Sequence, residues 1–273
     1  MVLEEKKISR IIMDSFYEKL RDSLSCEVAI VGGGPSGLIC GYILAKRGIK
    51  VALFERKGSL GGGMWGGGMM FNSIVVEEDA RRMLDEFGIR YKIKEKHYLV
   101  ADAPEAVSAI AAAVCREGVR VFNFMSAEDV VVRSGRVSGL VVNWTAVEIA
   151  GFHVDPLTVE ARYVVDATGH EHAVSRTLIE KLKGKLGGVE KYPLGERSLN
   201  AELGEREVVQ NSKEIFPGLY ATGMAVNAVF GGHRMGPIFG GMFLSGEKVA
   251  NSIIKALGKS VLIESKKNGT LRN

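Results

Sequence analysis

A three-layer α/β fold with a central parallel sheet and one inserted antiparallel β-hairpin is what this sequence predicts, and three observations predict it. Short apolar runs at 27–31, 51–54, 162–166 and 219–223 lack polar alternation, as strands do when both faces of a parallel sheet are covered. A helical pattern joins the first two runs into a βαβ unit of about thirty residues. The runs 130–133 and 137–144 flank Ser134-Gly135-Arg136, a hairpin signal. On this reading residues 1–257 make one domain that begins with a helix, and 258–273 form a mobile tail.

The elements follow in order. Ile8, Ile11, Ile12, Phe16 and Leu20 form a helical stripe expected to pack on the body. The strand 27–31 meets a glycine turn, then a helix to Arg47 with Leu38, Ile39, Tyr42 and Ile43 on its apolar face. Gly48 stops it before the strand 51–54. The stretch 58–68 is too glycine-rich for a regular element. Residues 77–87 and 104–117 read as helices closed by Gly88 and Gly118. A strand at 119–124 leads through 126–129 to the hairpin, and the strand 162–166 ends in Ala167-Thr168-Gly169-His170. The charged segment 183–215 reads as a surface excursion, before a last strand at 219–223 and a helix over 241–257.

Composition removes several classes. The chain of 273 residues is 46% hydrophobic and 25% charged, so neither long disorder nor a fibrous architecture is expected. A net charge of +4, spread along the chain, gives no footprint for nucleic acid. Three scattered cysteines make no disulfide framework or CxxC metal site, which suits a reducing cytoplasm. The first residues carry acids and bases where a signal peptide needs an apolar run. Residues 28–45 are uncharged and long enough for a membrane span, but Gly32-Gly33-Gly34-Pro35 interrupts them.

The interruption is itself a signal. Gly32-x-Gly34-x-x-Gly37 follows a strand and opens a helix, where a pyrophosphate rests on free N–H groups at the positive helix end. Gly32 permits the tight turn, Gly34 lets the backbone approach the anion, and Gly37 lets helix and strand pack closely. Ser36 adds a hydroxyl donor. Glu55 ends the second strand eighteen residues after Gly37, where an acid takes both hydroxyls of an adenosine ribose. It would repel the 2′-phosphate of NADP, and Arg56 beside it suits the adenosine. The ligand is therefore expected to contain ADP.

Three of the five histidines sit in glycine- or proline-marked turns. His153 and Asp155 lie in Gly151-Phe152-His153-Val154-Asp155-Pro156, His170 ends a strand, and His233 precedes Arg234. Asp155 and His170 are a donor set for Fe(II), Mn or Zn if substrate or another subunit completes it. The same residues also read as an Asx turn and a hydrogen-bonded strand-end histidine. Arg234, between glycines, suits bidentate capture of a carboxylate or phosphate, and also reads as an exposed loop arginine.

Two stretches, Val51-Ala52-Leu53-Phe54-Glu55-Arg56-Lys57-Gly58-Ser59-Leu60-Gly61-Gly62 and Phe216-Pro217-Gly218-Leu219-Tyr220-Ala221-Thr222-Gly223, resemble the Rossmann-like FAD/NAD(P)-binding fold of the glutathione-reductase type. That resemblance puts the backbone of Ala127 at the adenine edge. It also exposes a departure, because Met224 stands where flavoproteins of this fold carry an Asp. The string from His233 to Gly246, with Phe152–Pro156, Asp166–His170 and Gly61–Gly68, resembles the thiazole synthase family of thiamine biosynthesis, from the first helix to about Leu257. Members of that family use this fold to take NAD as a substrate in a pentosyl-transfer type of reaction. They release nicotinamide, join the ADP-ribose to glycine and add sulfur, giving an adenylated thiazole carboxylate.

Carried onto this chain, the resemblance implies that Ser36, Glu55, Arg56, Gly63 and Ala127 hold the adenosine diphosphate part. Arg234 takes the glycine-derived carboxylate, with Met224, Met235 and Gly236 lining that end. Asp155 and His170 bind iron(II) from adjacent subunits of an octamer. One branch of the family carries a sulfur-donating cysteine where this chain has His153, so the chain resembles the branch that takes free sulfide and turns over repeatedly. His153 then contacts substrate or shuttles protons. Methionine-bearing glycine loops around 58–70 are expected to cover the intermediate. The competing readings are an FAD-dependent oxidoreductase, which needs a bound flavin, and a ribose-bisphosphate isomerase.

Overall fold

A computed structural model describes residues 3–182 and 195–259. Part of the expected surface excursion, at 183–194, and the tail from 260 lie outside the described residues. The first half of the chain comprises α1 (Glu5–Arg21), β1 (Ser25–Val31), α2 (Pro35–Ala45), β2 (Val51–Glu55), β3 (Ser73–Glu77), α3 (Arg81–Glu86), β4 (Tyr91–Lys94), β5 (Tyr98–Asp102), α4 (Ala103–Arg116), β6 (Arg120–Asn123) and β7 (Met125–Arg133). The second half comprises β8 (Arg136–Trp144), α5 (Thr145–Ala150), β9 (Leu157–Asp166), α6 (Ala173–Lys181), β10 (Arg197–Leu199), α7 (Ala201–Asn211), β11 (Lys213–Phe216), β12 (Leu219–Ala221), α8 (Met224–Phe230), β13 (His233–Arg234) and α9 (Gly240–Ala256).

The central sheet runs β12-β9-β1-β2-β6, all parallel, with β11 antiparallel at one edge. Val28, Ile30, Leu53 and Val165 on one face pack against α2, α4 and α9, beneath which lies a separate antiparallel sheet β3-β5-β4. Ala29, Val31, Ala52 and Phe54 on the other face meet the β7–β8 hairpin, α6 and α8. Both faces are covered, which is why these strands read as unbroken apolar runs. The hairpin turns at Ser134 (φ 50°) and Gly135 (φ 74°), the paired positive φ of a type I′ turn.

Four expectations change. The helical stripe of α1 is not packed on the body: no residue of the helix is buried, and Ile8, Ile11, Ile12 and Phe16 stay exposed. Only its last turns touch, where Leu20 joins the core and the Phe16 ring meets Phe122 edge-on at 6.2 Å. An amphipathic stripe records that a face needs cover and not what covers it. The helix expected over 77–87 is shortened, because Glu77 still belongs to β3, paired with β5 from Ser73↔Asp102 to Glu77↔Tyr98. The segment 201–216 is no simple excursion: it contains α7, with Gly204, Glu205 and Val208 buried, and the edge strand β11. The glycine-rich stretch does form a short regular element, a 3-10 turn over Gly62–Gly66 that buries Met64.

Candidate active site

The carboxyl ends of β1, β2, β9 and β12 come together at one edge of the sheet, the place where open α/β sheets bind ligands. The three motif glycines differ in what surrounds them. Gly32 adopts φ +101°, and a β-carbon on it would lie 2.3 Å from the Ala167 carbonyl oxygen. A β-carbon on Gly37 would fall 2.2 Å from the Gly32 carbonyl oxygen, so α2 packs directly onto the turn. At Gly34 nothing lies within 4 Å of a β-carbon, so the N-cap of α2, with its free N–H groups and positive helix end, has an open side that could take an anion.

Glu55 closes the same turn from β2. It is buried, with Oε2 accepting the Gly33 N–H at 2.7 Å and Oε1 accepting the Lys57 N–H at 2.8 Å. A carboxylate offers about four lone-pair sites, so capacity for ribose hydroxyls remains. The glycine-rich stretch forms a wall beside it: the Gly61 N–H donates to the Gly33 carbonyl at 2.7 Å, and a β-carbon on Gly62 would stand 3.2 Å from the Gly34 Cα. Gly63 has open space at its β-position. Ser36 is buried, with Oγ 2.4 Å from the β-position of Gly223, so this hydroxyl sits between the first and last strand turns.

Arg56 pairs with Glu171 at 2.5 Å, and its carbonyl accepts from Thr145 Oγ1 at 2.9 Å, which ties the β2 end to α5 and to the His170 turn. Thr145 Oγ1 in turn lies 3.0 Å from Ser126 Oγ, next to Ala127 on β7. The register of β7 against β8 shifts between Ala127 and Asp129, a bulge at the position expected to meet adenine.

Beyond Gly223 the chain enters α8, and Met224 packs with Met235 and with Val208 of α7 in a small separate core. Arg234 lies on β13, which pairs with β10 through His233↔Arg197 and Arg234↔Leu199. It is exposed, and no ion pair to its guanidinium is found among the described residues. Gly236 follows at φ +86°, with its β-position 3.3 Å from Leu199.

The candidate metal ligands stand apart. Asp155 precedes β9 and His170 follows it, so the ten-residue strand separates them. Among the described residues, no group of three or more His, Cys, Asp or Glu side chains converges as a metal ion would need. The His170 Nδ1 meets Glu196 Oε1 at 2.6 Å, a carboxylate–imidazole pairing of the kind also found behind metal-bound histidines. His153 and Asp155 lie in the exposed segment 151–156, in which Phe152 and Val154 are exposed as well. The Val154 carbonyl accepts from Asn143 Nδ2 at 3.2 Å.

Several supporting residues escape a motif search. Asp166 is fully buried and accepts four hydrogen bonds, from Thr168 N–H and Oγ1 and from Ser175 N–H and Oγ, at 2.6–3.0 Å. It fixes the turn that carries His170. Glu196, Glu205 and Glu207 lie where the sequence reads as solvated charge. A further cavity of about 310 Å³ lies between α2, α3 and α9, and its Lys46–Glu86 and Arg82–Glu247 pairs are already formed.

Comparison with known proteins agrees with this geometry. The Thi4 family matches residues 9–239. The thiamine thiazole synthase of Pyrococcus furiosus is 55% identical over 94% of this chain and 100% of its own length. That of Methanothermobacter thermautotrophicus is 52% identical over 94% of this chain and 100% of its own. The crystal structure of Thermovibrio ammonificans THI4 superposes with a TM-score of 0.91 at 52% identity, covering 95% of this chain and all of that one. The family match over most of the chain, relatives more than half identical over nearly all of it and this superposition together place the chain: it belongs to the Thi4 family, the family of the thiamine thiazole synthases.

Proposed function

We propose that this protein converts NAD and glycine, with free sulfide as the sulfur source, into adenosine diphosphate 5-(2-hydroxyethyl)-4-methylthiazole-2-carboxylate and nicotinamide, in an Fe(II)-dependent reaction with multiple turnovers. The observation that carries the sulfide reading is the thiol inventory. Position 153, where a sulfur donor would stand, is His, and the three cysteines lie elsewhere. Burial pushes the Cys26 thiol up to about 11 and the Cys40 thiol higher still, which leaves both unreactive. Cys115 sits on α4.

Each group then has a task. The Gly32–Gly37 turn and Glu55 hold the adenosine diphosphate half, with Ser36, Arg56, Gly63 and Ala127 around it. Loss of nicotinamide leaves a ribosyl carbon with cationic character that must be kept from water. The apolar packing of Met224 and Met235 suits that exclusion. Arg234 takes the glycine carboxylate bidentately and presents the amine to that carbon. Asp155 and His170 would hold iron(II), which would supply Lewis-acid chemistry there. The strand between these two residues supports sharing of the metal by two chains, and the exposed stripe of α1 with exposed Phe152 and Val154 supports a homo-oligomer, read as an octamer acting in the cytoplasm. His153 moves protons during the ribose rearrangement.

The test is an anaerobic incubation with NAD, glycine, Fe(II) and sulfide, read by mass spectrometry. Thiazole adduct in molar excess over protein is expected. Untouched NAD would overturn the reading, and adduct capped at one per chain would overturn multiple turnover.

A further inference from the structure

Between α8 and α9 the chain carries Arg234, Met235 and Gly236, with the two residues of β13 in a strand. One helix holds both ends of this loop. At the first end, Glu207 of α7 accepts the His233 N–H on Oε2 at 2.6 Å, and its carboxylate meets the His233 ring Nδ1 at 3.1 and 3.2 Å. At the second end, Glu205 of α7 accepts the Gly241 N–H on Oε2, in the first turn of α9. The fit there is close: a β-carbon on Gly241 would lie 2.1 Å from that oxygen. Between the two contacts α7 lies flat on the loop. A β-carbon on Gly204 would stand 2.9 Å from both the His233 carbonyl oxygen and the Met235 Cα. Asn227 of α8 bridges the same layers, donating to the Gly204 carbonyl at 3.2 Å and the His233 carbonyl at 2.9 Å.

Burying carboxylates is costly, and hydrophobic residues would pack α7 as well. What an acid adds here is a directed acceptor for a main-chain N–H at each loop end. Arg234 is exposed on a two-residue strand, with no ion-pair partner among the described residues, so the aim of its long side chain follows from where the backbone of 233–236 is held. We propose that Glu205 and Glu207 are positioning residues for the reaction: α7 clamps both ends of the Arg234 loop, and so holds the guanidinium where it meets the carboxylate of the amino-acid substrate. This rests on the reading of Arg234 given above. The two contacts are not equivalent. Glu205 is buried against Glu77 of β3, and its Oε1 has no donor. Burial and the neighbouring Glu77 carboxylate push the Glu205 carboxyl up to about 8, which favours its neutral form, whereas the contacts with His233 lower that of Glu207.

The experiment compares Glu205→Ala, Glu207→Ala, Glu205→Gln and Glu207→Gln in the full-length enzyme, with Arg234→Gln as control. Hydrogen exchange of 231–241 is measured without ligand, and KM for glycine and for NAD with it. Each Ala variant is expected to exchange the loop amides faster and to raise KM for glycine about tenfold, the scale of one lost hydrogen bond, with KM for NAD unchanged. Each Gln variant keeps an acceptor oxygen and restores both. Unchanged loop exchange in the Ala variants overturns the clamp, as does equal change in both KM values. If Glu205→Ala does not fold, Glu207→Ala, at a partly exposed site, decides alone. If Arg234→Gln leaves KM for glycine unchanged, the substrate reading of Arg234 fails, and exchange still judges the clamp.

Discussion

The two ends of this site are built on different terms. At the nucleotide end every part comes from one chain within a short span, and each part is already satisfied: the Gly37 β-position fills against the Gly32 carbonyl, and both Glu55 oxygens accept main-chain N–H groups. At the metal end Asp155 and His170 are exposed, separated by β9, and have no third ligand among the described residues. The first end is formed within one folded chain. The second brings no such set of groups together among the described residues.

The largest effects should fall at the open end. Asp155→Ala and His170→Ala are each expected to cut thiazole formation by more than about a hundredfold, the upper range for weakened metal sites, while NAD binding measured by calorimetry stays unchanged. Mixing the two variants sharpens the point. If two chains share the metal, reassembled mixtures contain intact Asp155–His170 pairs and recover activity. No recovery after verified subunit exchange would place both ligands in one chain.

At the closed end the expected effect is on stability. Gly37→Ala puts a methyl 2.2 Å from a main-chain oxygen, so overpacking should lower unfolding free energy by about 1–3 kcal/mol and weaken NAD binding with it. Denaturant midpoints check this, and an unshifted midpoint would mean that the α2–turn contact is looser than it looks.

The same contrast explains what the sequence reveals. The nucleotide end was legible because its residues are local: a strand, a turn, a helix start and an acid at the next strand end are all coded within Val28 to Glu55. The sheet β3-β5-β4 was not, because Tyr98–Asp102 shows one-sided burial only when β3 and β4 flank it. The helix α7 was hidden for a related reason. Glu205 and Glu207 count as surface charge until Gly241 and His233, far along the chain, supply their donors. His170 showed as a candidate ligand, while its partner Glu196 had no spacing to give it away.

A smaller effect should appear with pH. Burial, and then the neighbouring Glu77 carboxylate, raise Glu205 to about 8. The folded state therefore holds a proton that the unfolded chain releases near its ordinary value of 4.5, so this contribution is fully present at low pH and is lost as pH rises from there through about 8. Thermal unfolding between pH 5 and 9 should show this decline in the parent protein and a flatter profile in Glu205→Gln, which carries no titrating proton. Parallel profiles would mean that Glu205 is ionised when folded.

The smallest expected change on the single chain is the one that tests the comparison most sharply. Ile12 projects from α1 in the stripe formed with Ile8, Ile11 and Phe16, and is 63% exposed. Ile12→Glu should shift the unfolding of one chain by less than about 0.5 kcal/mol, as surface substitutions do. If other copies cover this stripe and complete the open end, the same change shifts sedimentation to smaller species. Thiazole formation then falls with dilution while NAD affinity holds. A variant that assembles normally would remove α1 from the interface and leave the loop at Phe152 and Val154 to carry it.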